Sequence, residues 1–134
     1  MRKAISTENI SAICSDHQPH NADARQAPFS STLPGISSIE VLLPLLMELV
    51  DDGILDIHKA IEKVSSIPSK ILNIENRILK KNASADLCIF KREEWVFDTD
   101  NNLSLGQNNP FLGKKFSTKV VSTIRKGKIV YQKK

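Results

Sequence analysis

The sequence predicts an α/β protein built from one buried strand, a run of three helices and a small β module. Three observations carry this. Ile10-Ser11-Ala12-Ile13-Cys14-Ser15 is a short run of small and apolar residues, closed at once by the polar Asp16-His17-Gln18-Pro19-His20. From Ile39 to Leu72 apolar residues recur at helical spacing. Past Asn73 the period changes to that of strands. The balance is that of one globular domain: 134 residues, 40% hydrophobic and 25% charged.

The first run reads as a strand of a covered parallel sheet, which Pro19 stops. Polar groups on a loop at the carboxyl end of such a strand are where α/β proteins keep their chemistry. Residues 21–38 form a long loop, and loops beyond about 12–15 residues in compact domains are usually functional or disordered. Within it, Pro34-Gly35 is a tight-turn dipeptide in which glycine can take a positive φ. Ile39, Leu42, Leu43, Leu46, Leu49 and Val50 line one face of a helix, and Ser37-x-x-Glu40 has the form of a capping box. Pro44 within that pattern predicts a kink or a later start. Gly53 ends the helix. Asp56 is the expected cap of a second helix with Ile57, Ala60, Ile61 and Val64 inward, and Pro68 suits the first turn of a short third one ending at Leu72.

In the β module, Ala85–Phe90 and Glu94–Phe97 are expected strands. Lys119–Ile124 and Lys128–Tyr131 form a hairpin across Arg125-Lys126-Gly127, with Gly127 at a positive φ. Asp98 to Gly113 is a second long polar loop.

Charge divides unevenly along the chain. Residues 1–70 carry 6 Lys/Arg against 9 Asp/Glu, and residues 71–134 carry 13 against 6. The basic half could be a nucleic-acid patch or a solvated, lysine-rich hairpin whose charges protect a sheet edge. With no aromatic platform and no binding motif, the second is expected, and no nucleic-acid partner. No apolar run approaches the roughly 20 residues that cross a bilayer. Residues 1–9 hold no apolar signal core, so a cytoplasmic protein is expected. Cys14 and Cys88 each sit in an apolar run and read as two buried, reduced thiols. His58, off the apolar face of its helix, reads as a surface histidine.

The chemistry concentrates in Asp16, His17 and His20. A carboxylate with imidazoles can bind a transition metal or move protons near neutral pH. As a metal site it is incomplete, since catalytic zinc takes three protein ligands.

Ile13-Cys14-Ser15-Asp16-His17-Gln18-Pro19-His20, followed by Ala27-Pro28-Phe29, Leu33-Pro34-Gly35-Ile36 and Glu40-x-x-Leu43-Pro44-Leu45, strongly resembles the C-terminal part of dihydroorotases. The resemblance continues through Pro68-Ser69-Lys70-Ile71-Leu72, Ala85–Phe90, Asn109-Pro110-Phe111-x-Gly113 and Thr123-Ile124-x-x-Gly127-Lys128-Ile129-Val130-Tyr131. It implies the last strand and helices of a TIM (β/α)8 barrel in residues 1–72, and part of a small β-sandwich in residues 73–134. It also implies a cyclic amidohydrolase that interconverts N-carbamoyl-L-aspartate and L-dihydroorotate in pyrimidine biosynthesis. Asp16 would contact the metal, zinc in the complete enzyme, and act as the catalytic base and acid. His20 would bind the substrate carboxylate, with backbone contacts from the Pro34-Gly35 turn, and His17 would orient Asp16 or pack the loop. The family's His-x-His motif, carboxylated lysine and further metal-binding histidines have no counterpart in this chain. The chain alone is therefore expected to be inactive and not to hold the metal. Its expected partner is the rest of the barrel or, as a non-catalytic dihydroorotase-like protein, aspartate transcarbamoylase. Asn73 and Asn82 stand where the family usually has glycine.

Overall fold

The computed structural model describes residues 2–7, 9–74 and 79–133. In chain order it has a short helix α1 (Arg2–Ser6), an extended segment, three 3-10 turns, helices α2 (Leu42–Asp51), α3 (Ile57–Val64) and α4 (Ser66–Ile71), then strands β1 (Leu87–Val96), β2 (Lys115–Arg125) and β3 (Lys128–Gln132). The three strands form one antiparallel sheet in the order β1-β2-β3.

The helices follow their sequence signals closely. Pro44 lies in the first turn of α2, where its missing N–H costs nothing. A 3-10 turn at Ile39–Val41 precedes it, so the helix starts later than the apolar spacing suggests. Gly53 leaves the helix at φ +68°. Asp56 accepts the His58 N–H at 2.8 Å and caps α3. His58 is exposed, as expected.

Four expectations are corrected. Residues 10–15 are extended but belong to no strand. Nothing among the described residues ladders beside them, and the pairing nearby is an isolated parallel bridge between His17 and Ile36. What fixes the segment is α3: Ile13 donates its N–H to Lys63 O at 2.9 Å, and the buried Lys63 ammonium donates to Ile10 O. The capping box at Ser37 and Glu40 does not form, since α2 and the turn before it have no cap from either side chain. Glu40 instead accepts the Ser104 N–H across the molecule at 2.6 Å. Cys14 and Cys88 are exposed thiols rather than buried ones, because the segments that carry them lack covering layers on one side. Partial desolvation still pushes the Cys88 thiol above its ordinary value. The two expected strands at 85–90 and 94–97 are one continuous strand, Leu87–Val96, with register shifts after Ile89 and Arg92; the charged Lys91-Arg92-Glu93 is what separates the two apolar runs in the sequence.

The β2–β3 hairpin turns through Lys126 at φ +49° and Gly127 at φ +77°, the paired positive values of a type I′ turn that matches strand twist. Asn73 and Asn82 also lie at positive φ, +52° and +68°. Asparagine is the residue after glycine that best tolerates this region, so both turns keep a glycine-like conformation without glycine.

Two small cores hold the layers together. Leu46, Met47, Leu55 and Ala60 bury the contact of α2 with α3, with Ile5, Ile13 and Phe90 packed around them. Val41, Phe97 and Phe116 bury the contact of α2 with the sheet, and Trp95 meets Phe97 edge to face at 6.0 Å and lies tilted against Phe116 at 5.8 Å. Polar ties reinforce this second seam. Lys114 pairs with Glu48 at 2.8 Å, and Asp51 takes both Arg92 and Ser117 at 2.9 Å. Among the described residues no helix is long and apolar enough to cross a membrane.

Candidate functional site

The extended segment delivers Asp16 at its end, as the sequence implied, but in a conformation the sequence did not announce. Asp16 has φ +44°, in the left-handed region that costs an ordinary side chain about 1–2 kcal/mol. The bend re-aims the chain between the extended run and the loop. The Asp16 carboxylate is exposed, and its Oδ2 accepts from Gln18 Nε2 at 3.0 Å.

His17 turns the opposite way. Its Nδ1 accepts two backbone N–H groups, Ser38 at 3.0 Å and Ile39 at 3.1 Å. These donors belong to the start of the 3-10 turn that precedes α2, so a histidine 21 residues upstream of Ser38 satisfies backbone groups near where the capping box was expected. Accepting through Nδ1 places the proton of the neutral ring on Nε2. His17 thus ties its own loop to the turn before α2, and among the described residues no hydrogen bond joins its ring to the Asp16 carboxylate. Ser38 Oγ adds a bond to Ser15 O at 2.7 Å.

His20 and the Pro34-Gly35 turn are brought together. His20 Nε2 lies 2.9 Å from Pro34 O, and since a carbonyl only accepts, the ring nitrogen is the donor. Gly35 sits at φ +101°, and a Cβ there would lie 2.5 Å from Gln18 Cβ, so both backbone angle and space call for glycine. Gln18 N–H bonds Ile36 O at 2.8 Å and ties the two loops edge to edge.

A third loop closes this arrangement, and sequence reasoning gave it no role. Gly106 packs directly on Pro19, where a Cβ would come within 2.6 Å of the Pro19 Cα. The buried Asn108 accepts the His20 N–H at 2.8 Å through Oδ1, and through Nδ2 donates to Gln18 O at 2.9 Å and Gly35 O at 3.2 Å. The buried Asn109 donates to Ser37 O. The available signal was two adjacent asparagines after a glycine, late in a long loop.

These residues can present one carboxylate beside an imidazole and a backbone turn. They fit a single contact to a metal ion but not a complete site, because a catalytic ion takes about three protein ligands. Among the described residues no three His, Cys, Asp or Glu side chains gather to hold a metal. A separate groove of about 420 Å³ lies between Ile39–Leu43 and the sheet, walled by Trp95, Lys119 and Tyr131, and includes none of Asp16, His17 and His20.

No family profile matches the chain. Curated relatives do. A dihydroorotase of Syntrophus aciditrophicus is 38% identical over 133 residues, covering 98% of this chain and 31% of the relative. A dihydroorotase-like protein of Pseudomonas aeruginosa is 38% identical over 132 residues with the same two shares, and one from Pseudomonas putida is 43% identical over 113 residues, 84% of the chain and 27% of the relative. The chain thus spans about 31% of the length of the first two. Among solved structures, a dihydropyrimidinase from Brevibacillus agri superimposes with a TM-score of 0.89 at 19% identity, and a D-hydantoinase from a Thermus species with 0.87 at 21%. Each covers 98% of this chain and 30% of the solved one. At these identities they share the fold of that segment.

Proposed function

Because the chain is a relative of dihydroorotases along nearly its whole length, we propose that it is the C-terminal portion of such an enzyme, residues 1–72 closing the barrel and residues 73–134 forming part of the β-sandwich. The reaction is the metal-dependent interconversion of L-dihydroorotate and N-carbamoyl-L-aspartate. The observation that carries the proposal is Asp16, an exposed carboxylate held at positive φ at the end of an extended segment, tied through Gln18 to the Pro34-Gly35 turn that His20 also holds.

In the complete enzyme an ion, zinc in this reading, is held mainly by residues outside this chain with Asp16 as one contact, and supplies activation of the attacking water. The chain's own residues do the rest. Asp16 takes the proton from that water and passes it to the ring amide nitrogen as the carbon–nitrogen bond breaks, so no charged amide anion leaves. His20 meets the substrate carboxylate. As it stands, its Nε2–H is spent on Pro34 O, so carboxylate binding takes either a second ring proton, which makes Nδ1 a donor as well, or release of the turn. The turn's exposed backbone then lies within reach of the same anion.

A second reading is favoured by the incomplete donor set and by relatives named dihydroorotase-like: a non-catalytic chain that assembles with aspartate transcarbamoylase. One experiment separates the two. The chain is mixed with the preceding two thirds of a related dihydroorotase and zinc, and ring opening of dihydroorotate is followed. Turnover that requires both pieces, and is lost with Asp16→Asn, supports the enzyme. No turnover, with co-purification of aspartate transcarbamoylase on the tagged chain, supports the partner.

A further inference from the structure

We propose that Asn108 is the positioning residue of the substrate loop: its one side-chain amide sets where the His20 ring and the Pro34-Gly35 turn stand relative to Asp16. This rests on the reading of His20 and that turn as the substrate-binding elements.

The argument is one of inventory. A side-chain amide has one oxygen that accepts and one nitrogen with two hydrogens to donate. In Asn108 both donor hydrogens and one acceptor position of the oxygen are used, and they join two segments, the loop of Gln18 and His20 and the Gly35 turn: Oδ1 on His20 N–H at 2.8 Å, and Nδ2 on Gln18 O at 2.9 Å and Gly35 O at 3.2 Å. Its backbone O also takes the Ser37 N–H at 3.2 Å. The residue is 8% exposed, so water cannot replace these bonds cheaply. The loop before it is shaped for the approach. Gly106 lies against Pro19 with no room for a Cβ, and Gln107 N–H bonds His20 O at 3.2 Å. Asn109 fixes the loop itself, taking the Phe111 N–H at 2.9 Å and donating to Ser37 O.

No other side chain reproduces the set. Aspartate keeps the acceptor for His20 N–H and loses both donors. Alanine loses all three. Glutamine carries the same groups one carbon too far. Asn108 touches neither Asp16 nor the His20 ring; it acts through the backbone on both sides of the His20–Pro34 bond.

Amide hydrogen exchange on the full chain tests this. In Asn108→Ala, exchange at His20 N and at Gln18 N, whose partner Ile36 O rides on the turn, rises about tenfold or more, the scale of losing one or two buried bonds, while amides of β1–β3 keep their rates. In Asn108→Asp, Gln18 N is released and His20 N stays protected. Unchanged exchange at both amides overturns the proposal. So does deprotection spread evenly across β1–β3 in both variants, which marks Asn108 as a general folding residue. In the reassembled enzyme the same variants raise KM for dihydroorotate by about tenfold with a smaller change in kcat; equal loss in kcat with KM unmoved contradicts the proposal. Absence of turnover in the reassembled wild type overturns the dihydroorotase reading, whereas the exchange data decide the role of Asn108 independently.

Discussion

The sheet and the loop cluster sit on the same helix, yet they are held together by different kinds of interaction. β1, β2 and β3 are joined by ladders in which each backbone bond has neighbours doing the same work, and their seam with α2 is closed by Val41, Phe97 and Phe116 with Trp95 packed edge-on against Phe97. The loops around Asp16 have one isolated bridge, His17 with Ile36, and a few scattered backbone bonds such as Gln107 N–H to His20 O. They rely heavily on single side chains that bond to backbone: His17 at the turn before α2, Asn108 on the His20 loop and the Gly35 turn, Asn109 on Ser37. Redundant ladders tolerate the loss of any one member. A cluster tied by individual side chains has a fixed geometry but several single points of failure, which suits a site that must aim groups at a ligand.

Substitutions sharpen this contrast. Phe116→Ala removes the centre of the sheet–helix seam and is expected to cost about 3–5 kcal/mol, read as a lower midpoint of denaturant unfolding for the whole chain. Gly35→Ala forces a Cβ into Gln18 at a positive φ; about 2–3 kcal/mol of strain is expected, and Gln18 and Ile36 amide resonances shift while those of β1–β3 stay. His17→Ala strips the entry of α2 of its acceptor, with an expected loss of about 1–2 kcal/mol and faster exchange at Ser38 N and Ile39 N. Asp16→Gly relieves the left-handed strain but frees the unfolded chain, so a small net gain of about 0.5 kcal/mol is expected, together with loss of turnover in the reassembled enzyme. If Asp16→Gly destabilises the chain, the strain at that residue is not what its φ implies.

What was legible in the sequence follows the same division. Helix ends at Asp56 and Gly53, the hairpin at Lys126-Gly127, and the positive φ of Gly35 are all local, written within a few residues of where they act. The position of Asp16 at the end of an extended run was legible as well. The left-handed turn of Asp16 was not, because aspartate visits that region more than most residues yet only at a minority of positions. The hold of His17 on the 3-10 turn before α2 and the grip of Asn108 on His20, 88 residues apart in sequence, are long-range pairings. No spacing rule reaches them. The strand at 10–15 failed for a related reason: its composition specifies an extended, apolar segment, but a strand also needs a neighbour, and composition does not say where one is.

The central claim is that this chain brings one catalytic carboxylate and a preset substrate loop, and depends on residues beyond itself to hold a metal. Titrating zinc into the purified chain by calorimetry, at neutral pH, tests it most directly. The account predicts only weak binding, unchanged when Asp16→Asn is titrated alongside. Stoichiometric one-to-one binding with a Kd tighter than about 1 μM, abolished by Asp16→Asn or His17→Ala, would contradict it and place a complete metal site within these residues.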